Sequence, residues 1–479
     1  MVESGVIVAC VVIVVGGIYW WLKRRLSFWK HRGMAHVKPR LLMGNLHKKQ
    51  HIAVAIAECY TKLKVKAHIA GFYFLQRSVL LPLESTTIQR ILTVDKSHFN
   101  VLLDRKIPIA GVKSNPAVVE STLRSLWHRF HDIAHDITTN LTQNHKEFEA
   151  FEAALHINVK FLATCYLNFP KKEQTLRDLE DLARKHLKPS STRFRKFILR
   201  NAFPTFSQFL EISEMDGTKR GFSKLLSGHI RPGRGDKRYR AVIQLTTEAV
   251  RVGQQQQSKK IDSKEITMRA FGLFIAGIEA SVATMAFCMY ELAKSQEIQS
   301  MVRREIRHIL TKNHQHITYD ALAHMKFMDA VIFETLRKYP PIGSTWRVTS
   351  KEYHVPNTTY IIERGIPIIL PIYAIHHDPQ HHTEPEIFNP QRFKTKNFNE
   401  GTFLPFARSC TTTNAITIEM HFALMQIKLM LVTILKEFRI ISHHDDFSAQ
   451  ADAAAINPKS PTLTPKNNIW LQLEHTADL

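Results

Sequence analysis

Residues 333–341 read FETLRKYPP and contain the pattern that decides the fold. Glu334 and Arg337 are three residues apart, which places them on one face of a helix, and Pro340 and Pro341 end that helix. An exposed acid–base pair at this spacing is common, so the pair alone is weak evidence for a special structure. It gains weight from two further motifs that follow it along the chain.

These motifs are FNPQRF at residues 388–393 and FLPFARSC at residues 403–410. The first adds Arg392 after a run of short predicted strands. The second ends in Cys410, a lone cysteine in a predicted loop before an apolar segment. A thiolate at Cys410 would be favoured by Arg408 and by the N-terminus of the following helix. An isolated cysteine is more often an inert thiol, and the residues alone leave that interpretation open.

Residues 262–294 form the clearest predicted helix. The helix is apolar on nearly all sides, which predicts a position inside the protein. Gly277, Glu279 and Ser281 are unusual in such a setting, since glycine weakens a helix and a buried acid is costly. A functional groove and close packing of two helices both explain this combination.

The amino end contains 17 uncharged residues, 6–22, which are long enough to cross a thin bilayer as a helix. Lys23, Arg24 and Arg25 follow at once, and this excess of positive charge places the main body in the cytosol. A cleaved signal peptide is the alternative, but the segment lacks a basic start and a small-residue cleavage site. We therefore predict an anchor at residues 1–22, a basic and proline-bearing hinge at 23–45, and one domain at 46–479.

The composition of the 479 residues, 44% hydrophobic and 22% charged, excludes disordered and fibrous proteins. The formal net charge of +23 favours acidic partners. No aromatic pattern or metal-ligand spacing typical of nucleic-acid binding accompanies this charge, so we expect no nucleic-acid partner. The five scattered cysteines predict neither a disulfide framework nor a zinc site. Residues 67–83 have the aromatic and branched composition of strands.

Taken together, these motifs resemble the cytochrome P450 family of haem-thiolate monooxygenases over nearly the whole chain, and in particular the microsomal type of insects and of vertebrate drug metabolism. The resemblance implies a mainly helical, prism-shaped fold with a small β-rich lobe. It also implies a buried network of Glu334, Arg337 and Arg392 that holds the haem-binding loop.

The same resemblance implies the cofactor, the partners and the remaining site residues. Haem b would have Cys410 as its axial cysteinate, and electrons would come from NADPH through a flavoprotein, NADPH-cytochrome P450 reductase. Substrates would be hydrophobic small molecules, and the protein would lie in the endoplasmic reticulum membrane in contact with lipid. The oxygen-binding groove matches Gly277, Glu279, Ala280 and Ser281, and the haem contacts match Trp127, His131, Arg347, Phe403 and Arg408.

Several positions depart from the family pattern. Ala280 replaces the usual hydroxyl residue of the groove, His131 replaces an arginine, and the cysteine loop lacks its glycines. Counting back from residues 420–425 instead places the ligand position on Thr417, which cannot provide a thiolate. Two alternatives therefore stay open: an enzyme of the same fold that isomerises or dehydrates peroxides, and a degenerate homologue that binds ligands without catalysis.

Overall fold

The computed structural model describes residues 2–101, 116–144, 147–167, 169, 173–213, 215–229, 263–356, 358–394, 401–405, 418–442 and 456–476. Its helices are α1 Val2–Leu26, α2 Phe28–His31, α3 Ile52–Leu63, α4 Ser85–Leu92, α5 Pro116–Asn144, α6 Ala150–Phe161, α7 Glu173–Leu187, α8 Ser191–Ala202, α9 Pro204–Phe209, α10 Asp216–His229, α11 Ser263–Lys294, α12 Gln296–Lys312, α13 Tyr319–His324, α14 Lys326–Lys338, α15 Ile372–His376 and α16 Ile418–Glu437. Its strands are β1 Ile69–Phe74, β2 Arg77–Pro82, β3 Phe99–Val101, β4 Glu147–Glu149, β5 Thr345–Thr349, β6 Tyr353–His354, β7 Ile361–Ile362, β8 Pro367–Leu370, β9 Phe438–Ser442 and β10 Trp470–His475. The predicted class, mainly helical with a smaller β-rich part, is confirmed.

The larger sheet lies in a first unit formed by Met1–Leu103, Ser191–Glu214 and Gly343–Thr383. Its five strands have the order β1-β2-β8-β5-β3. The strands predicted in residues 67–83 are β1 and β2, an antiparallel hairpin in which Ile69 pairs with Pro82. All six residues of β1 are buried, which is why this strand is apolar along its whole length and does not alternate.

The second unit, formed by Asp104–Ser190, Met215–Ile342 and Glu384–Leu479, contains most of the helices and a large hydrophobic core. A three-stranded sheet of order β4-β10-β9 lies at its carboxyl end. The Gln299 side chain donates to the carbonyl of Ile440 at 2.8 Å and accepts from its N–H at 2.9 Å. These two bonds attach α12 to β9 without an additional strand.

Helix α11 is the core helix of the second unit, as the lack of a polar face predicted. The segment Ala270–Lys294 is long and apolar enough to cross a membrane by length and composition, but 72% of its apolar window is buried within the protein. Asp262, the first residue of the predicted helix, lies outside the described residues. Burial on this scale identifies the segment as a core helix of the body.

Helix α1 contains the apolar segment predicted at the amino end. The large apolar side chains described between residues 6 and 21 are 45–72% exposed. In the last turn Lys23, Arg24 and Arg25 each lie over the aromatic ring four residues earlier, at 5.9, 5.3 and 4.8 Å. Between residues 6 and 21 the helix therefore presents an exposed apolar surface, which ends in a belt of rings and positive charges.

Candidate active site

A buried carboxylate at Glu334 joins α14 to the segment that contains Arg392. Arg337 donates two hydrogen bonds to it, from Nε at 2.8 Å and from Nη2 at 2.9 Å. Arg392 Nε lies 3.3 Å from Oε1, and the N–H of Asn389 donates to the same oxygen at 2.8 Å. The side chains of Glu334 and Arg337 are 0% exposed. The structure thus brings the three residues of the predicted network together.

The two arginines also bind the backbone of the segment between α15 and Arg392. Arg337 Nη2 donates to the carbonyl of Pro385 at 2.7 Å, and Arg392 Nη2 donates to the carbonyl of Glu384 at 2.8 Å. A buried ion pair is tolerated only when its remaining hydrogen-bonding capacity is satisfied, and these carbonyls contribute to that. The network therefore fixes the path of the chain from Glu384 to Arg392.

Three phenylalanine rings continue this fixation toward the cysteine loop. Phe403 is fully buried, and its ring centroid lies 4.8 Å from that of Phe393 and 5.9 Å from that of Phe333 on α14. Edge contacts of this kind add to the free energy of burying each ring. The residue at which the loop begins is therefore held on α14, the helix of Glu334.

The loop itself, with Arg408, Cys410 and Thr417, lies outside the described residues. Among the described cysteines, burial raises the pKa of the Cys59 and Cys288 thiols to about 12. Both thiols therefore stay protonated at neutral pH, and neither is suited to be a thiolate ligand.

Four small residues share one face of α11, at the spacing i, i+3, i+4 and i+7: Gly277, Ala280, Ser281 and Thr284. A Cβ atom at Gly277 would lie 2.9 Å from a methyl carbon of Leu162, so a larger residue there would force the Leu162 side chain to shift. Thr284 Oγ1 donates to the carbonyl of Ala280 at 2.8 Å. Ser281 Oγ is buried and has no hydrogen-bond partner in the described part of the chain. Close helix packing, one of the two explanations for Gly277, is therefore present.

Glu279 lies on another side of α11 and faces α7. Its Oε1 is 2.8 Å from Nε2 of His186, whose side chain is 0% exposed, while the Glu279 side chain is 19% exposed. On the other side of the ring, His186 Nδ1 is 3.4 Å from Thr218 Oγ1. The sequence analysis missed His186, because a single histidine in an amphipathic helix gives no signal of a partner 93 residues away.

The other sequence-predicted contacts are placed as follows. Trp127 on α5 is half-buried, with its ring edge-on to Tyr319 at 6.1 Å, and His131 one turn later is exposed. Arg347 on β5, in the first unit, is half-buried and donates from Nη1 to Thr345 Oγ1 at 3.0 Å and to the carbonyl of Trp346 at 2.8 Å. The predicted role of Trp127, His131 and Arg347 as haem contacts stays a prediction.

A second buried acid fixes α11 against the end of α14. Glu291 Oε1 accepts from Lys338 Nζ at 2.9 Å and from Tyr339 Oη at 2.6 Å. The Tyr339 ring stacks on Phe287 of α11 with centroids 4.1 Å apart. The sequence analysis missed this cluster, although a single Glu in the apolar stretch CMYELA was a usable signal. Helix α11, which contains Glu279, and helix α14, which contains Glu334, are thereby held in a fixed position relative to each other.

Comparison with known proteins agrees with this geometry. The family model for cytochrome P450 matches residues 224–465. This range contains Glu279, Glu334 and the three motifs at residues 333–341, 388–393 and 403–410. "Probable cytochrome P450 6a14" from Drosophila melanogaster is 27% identical, over 98% of this chain and 99% of its own length. "Cytochrome P450 6A1" from Musca domestica is 25% identical over 95% of both chains, and "Cytochrome P450 6l1" from Blattella germanica is 26% identical over 90% of both. The chain therefore belongs to the cytochrome P450 family, and it is a haem-dependent oxidoreductase of the monooxygenase type.

Proposed function

We propose that the protein is a membrane-anchored monooxygenase of the endoplasmic reticulum that takes electrons from NADPH-cytochrome P450 reductase and oxidises hydrophobic small molecules. The observation that carries the proposal is the buried Glu334 carboxylate with its two arginines. This network restrains the chain that enters the cysteine loop, together with the Phe403 contact.

The described residues fit a haem group on one count. Ser281 offers a buried hydroxyl without a hydrogen-bond partner in the described residues. When bound through a cysteinate, haem supplies activation of dioxygen, which side-chain acids and bases cannot provide. Cys410 would hold the haem iron, and contacts to the haem and its propionates would come from Trp127, His131, Arg347, Phe403 and Arg408.

The role proposed for Glu279 is proton transfer into the groove. Its carboxylate is 19% exposed and is paired with a fully buried imidazole, so it lies at the boundary between solvent and the interior. An acid in this position can take a proton from solvent and pass it inward through water or Ser281. Ala280 has no hydroxyl to share in this transfer, which predicts that part of the reducing power yields peroxide and no product.

The proposed anchor is α1. Its exposed apolar side chains need cover, and a helix of 25 residues, about 37 Å long, is sufficient to cross a bilayer. The rings and cations in its last turns are typical of a membrane–water interface and favour a cytosolic body. Residues 23–45 would then form the hinge and residues 46–479 the single haem-binding catalytic domain.

Reconstitution tests the proposal. The purified full chain, haem, NADPH-cytochrome P450 reductase and NADPH should together oxidise a panel of hydrophobic compounds, and omission of the reductase should abolish the products. Turnover of a lipid hydroperoxide without reductase or NADPH would instead favour the peroxide isomerase, for which Ala280 in the groove is the supporting residue. Haem retention without either activity would contradict both assignments.

A further inference from the structure

A cavity of about 390 Å³ lies in the first unit, where the end of the proposed hinge meets the residues that follow it. This volume is within the range of small-ligand sites. The cavity is lined by Arg40, Met43, His47, Lys48, Lys49 and Gln50. Its lining is therefore strongly basic and comes from one short stretch of chain.

The positive charges of this cavity are not neutralised by the described residues. Arg40, Lys48 and Lys49 are exposed, and no carboxylate forms an ion pair with them in the described part of the chain. The Glu58 carboxylate contacts two other residues of the lining, since it accepts from Gln50 Nε2 at 2.6 Å and lies 4.0 Å from His47 Nε2, but it forms no ion pair with the three exposed cations in the described part of the chain. Three cationic side chains around one cavity form a site suited to an anion with more than one negative charge.

The backbone places this basic cavity close to the end of α1. Trp29, three residues after α1, donates from Nε1 to the carbonyl of Phe72 at 3.2 Å, and the N–H of Asn45 donates to the carbonyl of Tyr73 at 2.9 Å. Both segments are therefore attached to adjacent residues of β1, which are about 3.3 Å apart along a strand. Gly44 has φ +60°, and a Cβ there would lie 2.4 Å from the carbonyl of Tyr73, so only glycine permits this attachment.

Apolar side chains adjoin the charges. Leu41 and Leu42, between Arg40 and the rest of the lining, are 39% and 65% exposed. Exposed leucines beside cationic side chains are typical of a surface that enters the headgroup region of a bilayer. The same loop therefore presents apolar residues for the acyl boundary and cations for the headgroups.

We propose that the pocket of Arg40, Lys48 and Lys49 binds the phosphorylated headgroup of an anionic phospholipid, such as a phosphatidylinositol phosphate, in the bilayer that α1 enters. This inference rests on the proposed anchor, because the lipid must lie beside α1. A phosphomonoester has a charge of about −1.5 to −2 near neutral pH, against −1 for an ordinary phosphodiester. It therefore neutralises a three-cation pocket better than phosphatidylserine does.

The test uses the haem-loaded full chain in neutral detergent and isothermal titration calorimetry with short-chain lipids. The variant Lys48→Gln/Lys49→Gln removes two charges from the pocket. The control, Lys62→Gln/Lys66→Gln, removes two exposed charges at the other end of α3. Lys62 is about 15 Å along that helix from Ile52, beyond the Debye length of about 8 Å in physiological salt.

We expect short-chain phosphatidylinositol 4-phosphate to bind more tightly than short-chain phosphatidylserine. The pocket variant should lose about 30-fold in affinity, since each lysine near an anionic surface contributes about a fivefold factor. The affinity of the control variant should change less than about threefold, because charges beyond the Debye length are largely screened. The proposal would be overturned if both variants lost the same affinity for phosphatidylinositol 4-phosphate, or if phosphatidylserine bound as tightly as that lipid. It would also be overturned if inorganic phosphate displaced the lipid at an equal concentration. Flotation with phosphatidylcholine vesicles tests the anchor separately. A protein that does not float with the vesicles would contradict the assignment of α1 as the anchor, whereas the calorimetry in detergent would still report whether the pocket binds the headgroup.

Discussion

Replacing Glu334 by alanine tests the energetic core of the site. The change removes the acceptor of both Arg337 bonds, of the Asn389 N–H and of Arg392 Nε. The Arg337 guanidinium is 0% exposed, so it stays buried with its charge uncompensated. Breaking a buried ion pair in this way costs about 3–5 kcal/mol, a large share of the stability of an ordinary domain.

The assay is urea unfolding followed by far-UV circular dichroism, with the free energy of unfolding extrapolated to water. The control is Glu173→Ala, which removes the same type of side chain from an exposed ion pair with Arg177 one turn away. That change should be too small to resolve, because solvent and salt screen such pairs. The double variant Glu334→Leu/Arg337→Met should recover part of the loss, since it removes the buried Arg337 charge, and the recovery stays partial because Arg392 still lacks its acceptor. A loss below about 1 kcal/mol for Glu334→Ala would refute the reasoning that this charge is desolvated.

Three further predictions concern the relay and pH. In Ala280→Thr the restored hydroxyl should raise the product formed per NADPH consumed and lower the release of peroxide; an unchanged ratio would exclude a role for position 280 in proton delivery. In His186→Gln the Glu279 carboxylate loses its imidazole partner, and the product formed per NADPH should fall about tenfold, since misplacement of an acid–base group lowers its contribution. His156→Gln, which breaks a partly exposed histidine–glutamate pair elsewhere, is its control and should leave this ratio unchanged. Burial would raise the pKa of Asp378, but hydrogen bonds from Lys64, Gln380 N–H and Tyr60 outweigh it and hold the pKa below the ordinary 3.8. The carboxylate therefore stabilises the fold fully above pH 3.8, and this contribution is lost as the pH falls through the lowered pKa. Asp378→Asn should accordingly have a lower free energy of unfolding than the unaltered chain at neutral pH, and the two should become equal in acid. A difference between them that does not depend on pH would contradict this assignment.

Local patterns in the sequence were sufficient for much of the fold. The apolar run in α11 predicted a buried helix because no face of it offers polar residues to solvent. The short aromatic runs predicted β1 and β2 because branched and aromatic side chains pack well on a pleated surface. In both cases the deciding information lies within one element.

The site was predictable only where a family pattern supplied the long-range pairing. The spacing of Glu334 and Arg337 is local, but Arg392 is 58 residues from Glu334, and only the resemblance connected them. The pairs Glu279–His186 and Glu291–Lys338 have no such pattern, since any of 26 histidines and many lysines could have been the partner. Tertiary packing determines these partners, and neither the periodicity nor the composition of the sequence predicts them.

The central claim is that a cysteinate at position 410 ligates the haem iron. The most direct measurement is the ferrous carbon-monoxide spectrum of the haem-loaded chain and of two variants, Cys410→Ala and Thr417→Ala. We predict the thiolate-type band for the unaltered chain and for Thr417→Ala, and its loss in Cys410→Ala while haem remains bound. A thiolate-type band that persists in Cys410→Ala, or that is absent from the unaltered chain with haem bound, would contradict the account.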